Sequence, residues 1–584
     1  MIEWILNKVN KKISRAYRFF FPKRPWYSFY GDVPEHLDYP DVSIYELIER
    51  TAENYPYYYA LEYFGKRITY REFILKIKKC ASALIEMGVK PRDRVTICMP
   101  NTPSSVIMFY AINFIGASAN MVHPLSSEKE LLFYLRKTGS KYMLVIDFVY
   151  DKVKRIEKNT SLERVIVSAV SVDMSNTNHL LYWFFTGRKS KIEKDDKAIF
   201  WRDFIKSGIL DRDMKPYQRN LNEEAVILYS GGTTGSPKGI VLTDMNFNAL
   251  AMQGHLMCDP AKVGDSVLSI MPIFHGFGLG VCIHTPLYIG MKCVLIPNFS
   301  YRKFGKLIKK YRPNFIVGVP TLFESLIKSN IRDLSSVTCC VSGGDNLSLK
   351  LKKEVDAFLE SRGSKTRVRE GYGLTECTGA ACLTPRRFYR ENSIGIPFPD
   401  MIFKIVKVGT MQEVPSNVDG EICISGPTVM MGYLDNEEET RSTLRKHKDG
   451  RIYLHTGDIG SMDEQGFVYF KQRLKRMIIS SGYNVYPSNI EAVLNEHPLV
   501  ATSVVIGIPH PYKMQVAKAY IVLKEGYSAS NSVKRSIREH CEKCLAKFSL
   551  PYEYEFREVI PKTLVGKVNY KELERENVDA KLKE

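Results

Sequence analysis

Residues 229–239 read YSGGTTGSPKG and directly follow the apolar run AVIL. A strand that ends in Gly231, Gly232 and Gly235, with hydroxyls at Ser230, Thr233 and Thr234, presents free N–H and O–H donors to phosphate oxygens, and Lys238 adds a positive charge. Pro237 falls where the second glycine of a P-loop belongs, so the loop is not of that type. A glycine-rich loop is also an ordinary way to turn a chain, and alone it leaves both readings open. Three further segments carry chemistry-bearing groups: EGYGLTE (370–376), YLHTGDIG (453–460) and PKTLVGK (561–567). They supply aromatic rings, hydroxyls, carboxylates and lysines. Read singly, Asp458 is a turn former, Lys567 a solvated tip and Glu376 a carboxylate at a helix start.

These four segments, in this order and at this spacing, resemble the adenylate-forming superfamily of acyl-CoA synthetases, luciferases and peptide-synthetase adenylation domains. The resemblance runs from about residue 45 to 575. It implies that Ser230, Gly231, Gly232, Thr233, Thr234, Gly235 and Lys238 hold the β- and γ-phosphates of ATP. Tyr372, next to Gly371, is to stack on adenine with Gly344 of SGGDNL behind it. Thr375 is to meet the α-phosphate and Glu376 to help hold Mg²⁺. Asp458 is to accept the ribose hydroxyls with Arg473 nearby, and Lys567 is to reach both the substrate carboxylate and the α-phosphate.

The residue types suit the reaction so implied. A carboxylate attacking an α-phosphate brings two anions together, so the transition state needs positive charge placed beforehand. Lys567 and a hard cation on the oxygens of Glu376 meet that need. An acyl-adenylate hydrolyses readily, so the site must exclude water.

QRLKR (472–476) resembles the family's hinge, with Lys475 at the pivot, and SSGYNVYPSNIE (480–491) its thiol-side face, with Gly482 and Tyr483 near the pantetheine path. Rotation of a small domain would complete a second active site after the first has reacted. This chain departs from the family pattern at Gln472, Arg476, Asn489, Met514 and Val565; the usual residue at 476 is an acid and at 514 a glycine. The departures bear on the hinge and the thiol side more than on adenylation.

MPIFHGFGLG (271–280) resembles the acid-entry region, where His275 sits beside the carboxylate or gates the tunnel; its other reading is a packed polar residue. Phe274 and Phe277 among glycines fit an apolar passage. No aspartate for an amino group is evident, and the Gly-Gly form of the phosphate loop resembles bacterial fatty-acid ligases. The resemblance implies a medium- or long-chain fatty acid, ATP and coenzyme A as small-molecule partners and Mg²⁺ as the metal. Alternatives are a fatty-acyl-AMP ligase loading a carrier protein, a luciferase-like oxygenase, and a catalytically inactive membrane-associated binding protein.

Elements must hold these residues in place. From about residue 90, runs such as DRVTICMP, YMLVID, AVILYS, SVLSIMP, KCVLIP, FIVGVP and TCCVS alternate with amphipathic stretches such as 301–311 and 347–359. That rhythm predicts an α/β fold of mixed, largely parallel sheets with flanking helices. The last hundred or so residues predict a small mobile α+β domain, with helices near 488–496 and 531–547. The expected division is a helix at 1–25, a large domain at 26–471, the hinge at 472–476 and a lid at 477–584.

At 584 residues the chain is too long for one core. Lys plus Arg number 83 and Asp plus Glu 64, a net charge of +19 that favours anionic ligands. No helix-turn-helix, zinc-finger or basic-zipper pattern accompanies it, so nucleic acid is not an expected partner. Cys541 and Cys544 form a CxxC pair without a second pair or nearby histidines, and reduced thiols of a cytoplasmic protein are the expectation. In residues 1–21 the apolar Ile2, Ile5, Val9, Ile13, Tyr17 and Phe20 share a helical face among Lys8, Lys11, Lys12, Arg15 and Arg18. Such a helix lies on the inner face of an anionic membrane or docks on the protein's own body. HLLYWFFTGRKSK (179–191) is too short to span a bilayer.

Overall fold

The computed structural model describes residues 24–175, 196–230, 237–259, 261–480, 483–510, 512–563 and 568–581. The amphipathic segment 1–21 and the apolar run within 179–191 lie outside them. Among the described residues no helix is long and apolar enough to cross a membrane.

The β-rich runs from residue 90 onward become two large sheets. One has the strand order Gly432–Tyr433, Lys238–Thr243, Glu224–Ser230, Ser118–Met121, Arg94–Cys98, Tyr142–Ile146, Arg164–Ser168, Ala198–Phe200. It is parallel from Glu224–Ser230 outward and antiparallel where Glu224–Ser230 meets Lys238–Thr243. That antiparallel pair flanks the glycine-rich segment in sequence. In the other sheet, Val368–Tyr372, Cys339–Ser342, Phe315–Gly318, Ser266–Ser269 and Lys292–Leu295 run side by side and parallel.

Helices begin where polar caps dictate. Ser43, Thr69 and Ser127 each accept from the backbone three residues on, and Glu46, Glu72 and Glu130 reply; such reciprocal capping satisfies N–H groups that the helix itself leaves orphaned. Helix Pro103–Phe114 is apolar on all sides, and every one of its residues is buried; that pattern belongs to a helix enclosed by others. It packs against Tyr70–Glu86 and Ile44–Asn54.

A third sheet was not foreseen as such. Ile402–Val406, Gly420–Ser425, Ile452–Met462, Leu444–Lys446 and Val468–Arg473 form an entirely antiparallel five-stranded layer. It carries the TGD turn on one long strand and ends at the stretch expected to be a hinge.

One continuous hydrophobic core extends from Trp26 to Val468. Separate clusters begin at Ile478 and end at Leu573, where a five-stranded sheet is flanked by helices Pro487–Glu496, Asn531–Cys544 and Tyr570–Lys581. Met514, at the end of the hairpin Val500–His510/Met514–Leu523, has φ +65°. This is the left-handed region that favours glycine, the residue usual at that place. All twelve cysteines are free, ten of them buried and Cys544 exposed.

Candidate active site

A cleft of about 2700 Å³ separates the two bodies, and residues of all four motifs line it: Ser230 and Lys238, Gly371 to Glu376, Thr456 to Asp458, and Lys562 with Thr563. Gly344, His275, Arg473 and Lys475 line it too. Gly231 to Gly235, Gly482 and Lys567 lie outside the described residues. Tyr483 opens strand Tyr483–Val485, paired with Ser480.

The Asp458 corner is built by cross-strand register. Asp458 on Ile452–Met462 pairs with Arg473 on Val468–Arg473, and Arg473 Nε lies 3.1 Å from its Oδ1. Tyr372 donates its hydroxyl to Oδ2 at 2.6 Å. Asp458 is 1% exposed. Burial, with Asp458 beside it, holds the Tyr372 phenol well above its ordinary range, so it stays a donor. A carboxylate offers about four acceptor positions, so two protein donors leave room for a vicinal diol.

Glu376 lies in the short helical turn Thr375–Cys377. The turn is fixed from behind: Thr378 takes φ +61° and Gly379 φ +109°, and a Cβ on Gly379 would come within 2.6 Å of the Gly276 backbone. The acid-entry segment and the adenylate turn are thus packed main chain on main chain. His275, half-buried between them, accepts at Nδ1 from the Phe277 N–H at 3.2 Å, and Phe274 packs its ring 4.3 Å from His123.

The phosphate-loop lysine has partners that sequence reading missed. Lys238 pairs with Glu439 of helix Glu437–Thr443 and lies 5.2 Å over the ring of Tyr433. Tyr433 in turn donates to Glu376 Oε1 at 3.2 Å. Burial, with Glu376 next in effect, pushes the Tyr433 phenol far up. A Lys–aromatic–Glu chain therefore joins two motifs far apart in sequence; only the GY dipeptide of a two-residue strand marked it.

At the expected hinge, Arg476 has taken a role of its own. It donates to Glu491 at 2.6 Å and stacks 3.9 Å over Tyr570, so the departure from an acid comes with an acid supplied from the next helix. Gln472 is buried, and neither atom of its amide has a hydrogen-bond partner among the described residues.

From this corner an apolar wall leads away across the parallel sheet. Val341, Val317, Phe315, Val267, Met291 and Ile289 all line the cleft. They step from Cys339–Ser342, next to the Tyr372 strand, to the residues just before Lys292–Leu295; counted from Val368–Tyr372 itself this is four inter-strand spacings or ~19 Å.

Glu370, also on the cleft wall, is 8% exposed. Burial raises its pKa from 4.5 to about 7, opposed by Lys352. The folded chain thus keeps a proton that the unfolded chain releases, and stability falls as pH rises from about 4.5 to about 7. Glu370→Gln is expected to remove up to about 3 kcal/mol of that loss. Urea midpoints should match wild type near pH 4 and exceed it near pH 8; parallel midpoints at both would show that burial of Glu370 carries no proton linkage.

Comparison with known proteins places the chain. The AMP-binding enzyme family matches residues 48–434, and its C-terminal domain residues 489–567. The chain belongs to this adenylate-forming family. A long-chain-fatty-acid–CoA ligase of Bacillus subtilis (strain 168) is 32% identical over 568 residues, 95% of this chain and 99% of its own. The enzyme of the same description from Salmonella typhimurium is 30% identical over 571 residues, 95% and 98% of the two chains. The crystal structure of an anthranilate CoA ligase in complex with anthranoyl-AMP superposes with a TM-score of 0.80 at 23% identity, covering 95% of this chain and 99% of that one. ATP-bound MatB from Rhodopseudomonas palustris gives 0.80 at 24%, covering 92% and 99%. These two establish the fold.

Proposed function

We propose that this enzyme joins a long-chain fatty acid to coenzyme A in two steps: the acid attacks the α-phosphate of ATP, pyrophosphate leaves, and the thiol then displaces AMP from the acyl-adenylate. The observation that carries the choice of acid is the apolar wall running ~19 Å from the Tyr372 strand across the parallel sheet. A small or aryl acid has no use for that length. The full-length likeness to fatty-acid ligases supports the same reading.

In this reading Tyr372 and Gly344 bracket the adenine, Asp458 takes the ribose diol, and Lys238 leaves Glu439 for the pyrophosphate oxygens. Glu376 presents carboxylate oxygen on the cleft wall with Tyr433 fixing its rotamer, a donor that fits a hard cation. Mg²⁺ bound there would supply positive charge to the phosphates. His275 lies at the mouth of the apolar passage, and Lys567 supplies the charge between carboxylate and α-phosphate. Residues 472–476 act as the hinge between a large domain ending at 471 and a lid beginning at 477. The break between cores at Val468 and Ile478 supports this division.

The experiment is a panel of acids with ATP and Mg²⁺, followed by mass spectrometry with and without coenzyme A. Long-chain acids should yield acyl-AMP alone and acyl-CoA when the thiol is added. Turnover of acetate or aryl acids without turnover of fatty acids would overturn the reading, and acyl-AMP that never passes to coenzyme A would shift the acceptor to a carrier protein.

A further inference from the structure

Next to the Asp458 turn, in the antiparallel sheet, lies a cluster that the proposed reaction does not use, with Glu421 and His455 at the edge of the cleft. Strand Gly420–Ser425 pairs with Ile452–Met462 in a register that sets Cys423 opposite His455, with Cys423 Sγ 3.5 Å from His455 Nδ1. His447, just past strand Leu444–Lys446 on the neighbouring hairpin, brings its Nε2 to 3.0 Å from His455 Nε2. All three side chains are buried. One donor atom from each lies within 4.8 Å of the others, and among the described residues no other three His, Cys or carboxylate groups meet so closely.

We infer that Cys423, His447 and His455 bind one divalent cation of the zinc class. A thiolate with two imidazoles is a borderline-soft donor set that suits Zn²⁺ or Co²⁺ and disfavours Mg²⁺ and Ca²⁺. With Zn–N near 2.0–2.1 Å, tetrahedral geometry sets two nitrogen donors about 3.3 Å apart, close to the 3.0 Å between the two Nε2 atoms. The outer partner is in place as well. Glu421 Oε2 accepts from His455 Nδ1 at 2.9 Å, which fixes the tautomer that leaves Nε2 for a cation, as the carboxylate behind a ligating histidine does in metal sites.

With Nδ1–H of His455 given to Glu421, its Nε2 accepts a hydrogen bond from His447 Nε2–H. The cation takes the place of that hydrogen bond. Binding moves the His447 proton to Nδ1, releases the Cys423 thiol proton to solvent, and draws Sγ from the Nδ1 side of His455 toward Nε2; water fills the fourth position. Glu421 also accepts the Gly457 N–H at 3.0 Å through its other oxygen, so one carboxylate joins this centre to the turn that carries Asp458. Occupancy would stiffen that turn.

The test uses the full chain with any affinity tag removed, dialysed against chelator and then titrated with Zn²⁺ or Co²⁺ alone. The expected result is one cation per chain after gel filtration, a thiolate-to-cobalt charge-transfer band, and an unfolding temperature raised by about a hundredfold excess of Zn²⁺ over its Kd. Cys423→Ser and His447→Gln should each lose the bound cation and the cobalt band, while Cys544→Ser, which removes an exposed thiol, should keep both. Circular dichroism of the apo variants separates loss of the site from loss of the fold, and the wild-type cobalt band reports the thiolate without any variant. The inference fails if wild type retains no stoichiometric cation, if its cobalt spectrum lacks the thiolate band, or if folded Cys423→Ser and His447→Gln still hold it.

Discussion

Lys567→Ala is expected to cut acyl-adenylate formation by about 10²–10³, the usual loss when one preorganised charge is withdrawn from a developing anion, while leaving the passage of preformed acyl-AMP to coenzyme A within a few-fold of wild type. The asymmetry follows from the lid rotation that the proposed reaction requires. Thr563 and Val568, the described residues on either side of residues 564–567, line the cleft together with Tyr570. In the first step the transition state carries charge that the lysine offsets; in the second, thiol attack needs a different face of the same lid, and the lysine has no anion to meet. Lys238, which pairs with Glu439 and Tyr433, is assigned in the proposed reaction to the pyrophosphate oxygens and does not stand in for it. Pyrophosphate exchange measures the first step and synthetic acyl-AMP with coenzyme A the second. Exchange that survives the substitution would remove Lys567 from the reaction, and equal loss of both steps would point to a damaged lid instead of a missing charge.

What could be read from residues alone follows the range of the forces involved. Strand–loop–helix runs such as TCCVS before SGGDNL are local, and a parallel sheet carries that strand as expected, whereas the glycine-rich loop after AVILYS leads into the antiparallel strand Lys238–Thr243 before its helix begins. The helices predicted at 301–311, 347–359, 488–496 and 531–547 stand at Phe304–Tyr311, Leu349–Ser361, Pro487–Glu496 and Asn531–Cys544, because apolar spacing and Ser or Pro starts act within one turn. Illegible features depend on register between distant strands. No periodicity announces that Cys423 faces His455, or that Tyr433 and Glu439 will close on Lys238 and Glu376. The third sheet went unrecognised because its strands lie in a polar, turn-rich stretch whose alternation is broken at Glu421–Cys423 and Ile459–Gly460 by register shifts. A bulge moves every later side chain to the opposite face, which erases the period-two signal. Phe277–His284 is a π-helix, and its wide turn matches no helical spacing that a sequence pattern tests.

The same register makes Asp458 the second position of large effect. Asp458→Ala withdraws a carboxylate that serves three clients: Tyr372 at 2.6 Å, Arg473 at 3.1 Å, and in the proposed reaction the ribose diol. Each charge-assisted hydrogen bond to ribose is worth about 1.5–3 kcal/mol, so the loss of two should lower kcat/KM for ATP by roughly 10²–10⁴. A separate cost falls on the fold, because the Tyr372 hydroxyl is left in a buried place without its acceptor, at about 1–3 kcal/mol. Arg473 adds little to that, its side chain being half exposed. Asp458→Asn separates the two effects. The amide keeps one oxygen for Tyr372, so its urea midpoint should stay nearer to wild type, but it lacks the charge and the second acceptor, so KM for ATP should still rise steeply. With the acid held saturating, kcat should fall less than kcat/KM, since ribose is held in the ground state and the transition state alike. An Asn variant with wild-type affinity for ATP would confine Asp458 to holding Tyr372 and Arg473 in place, and the nucleotide would then have to be oriented from the Gly344 side of the cleft alone.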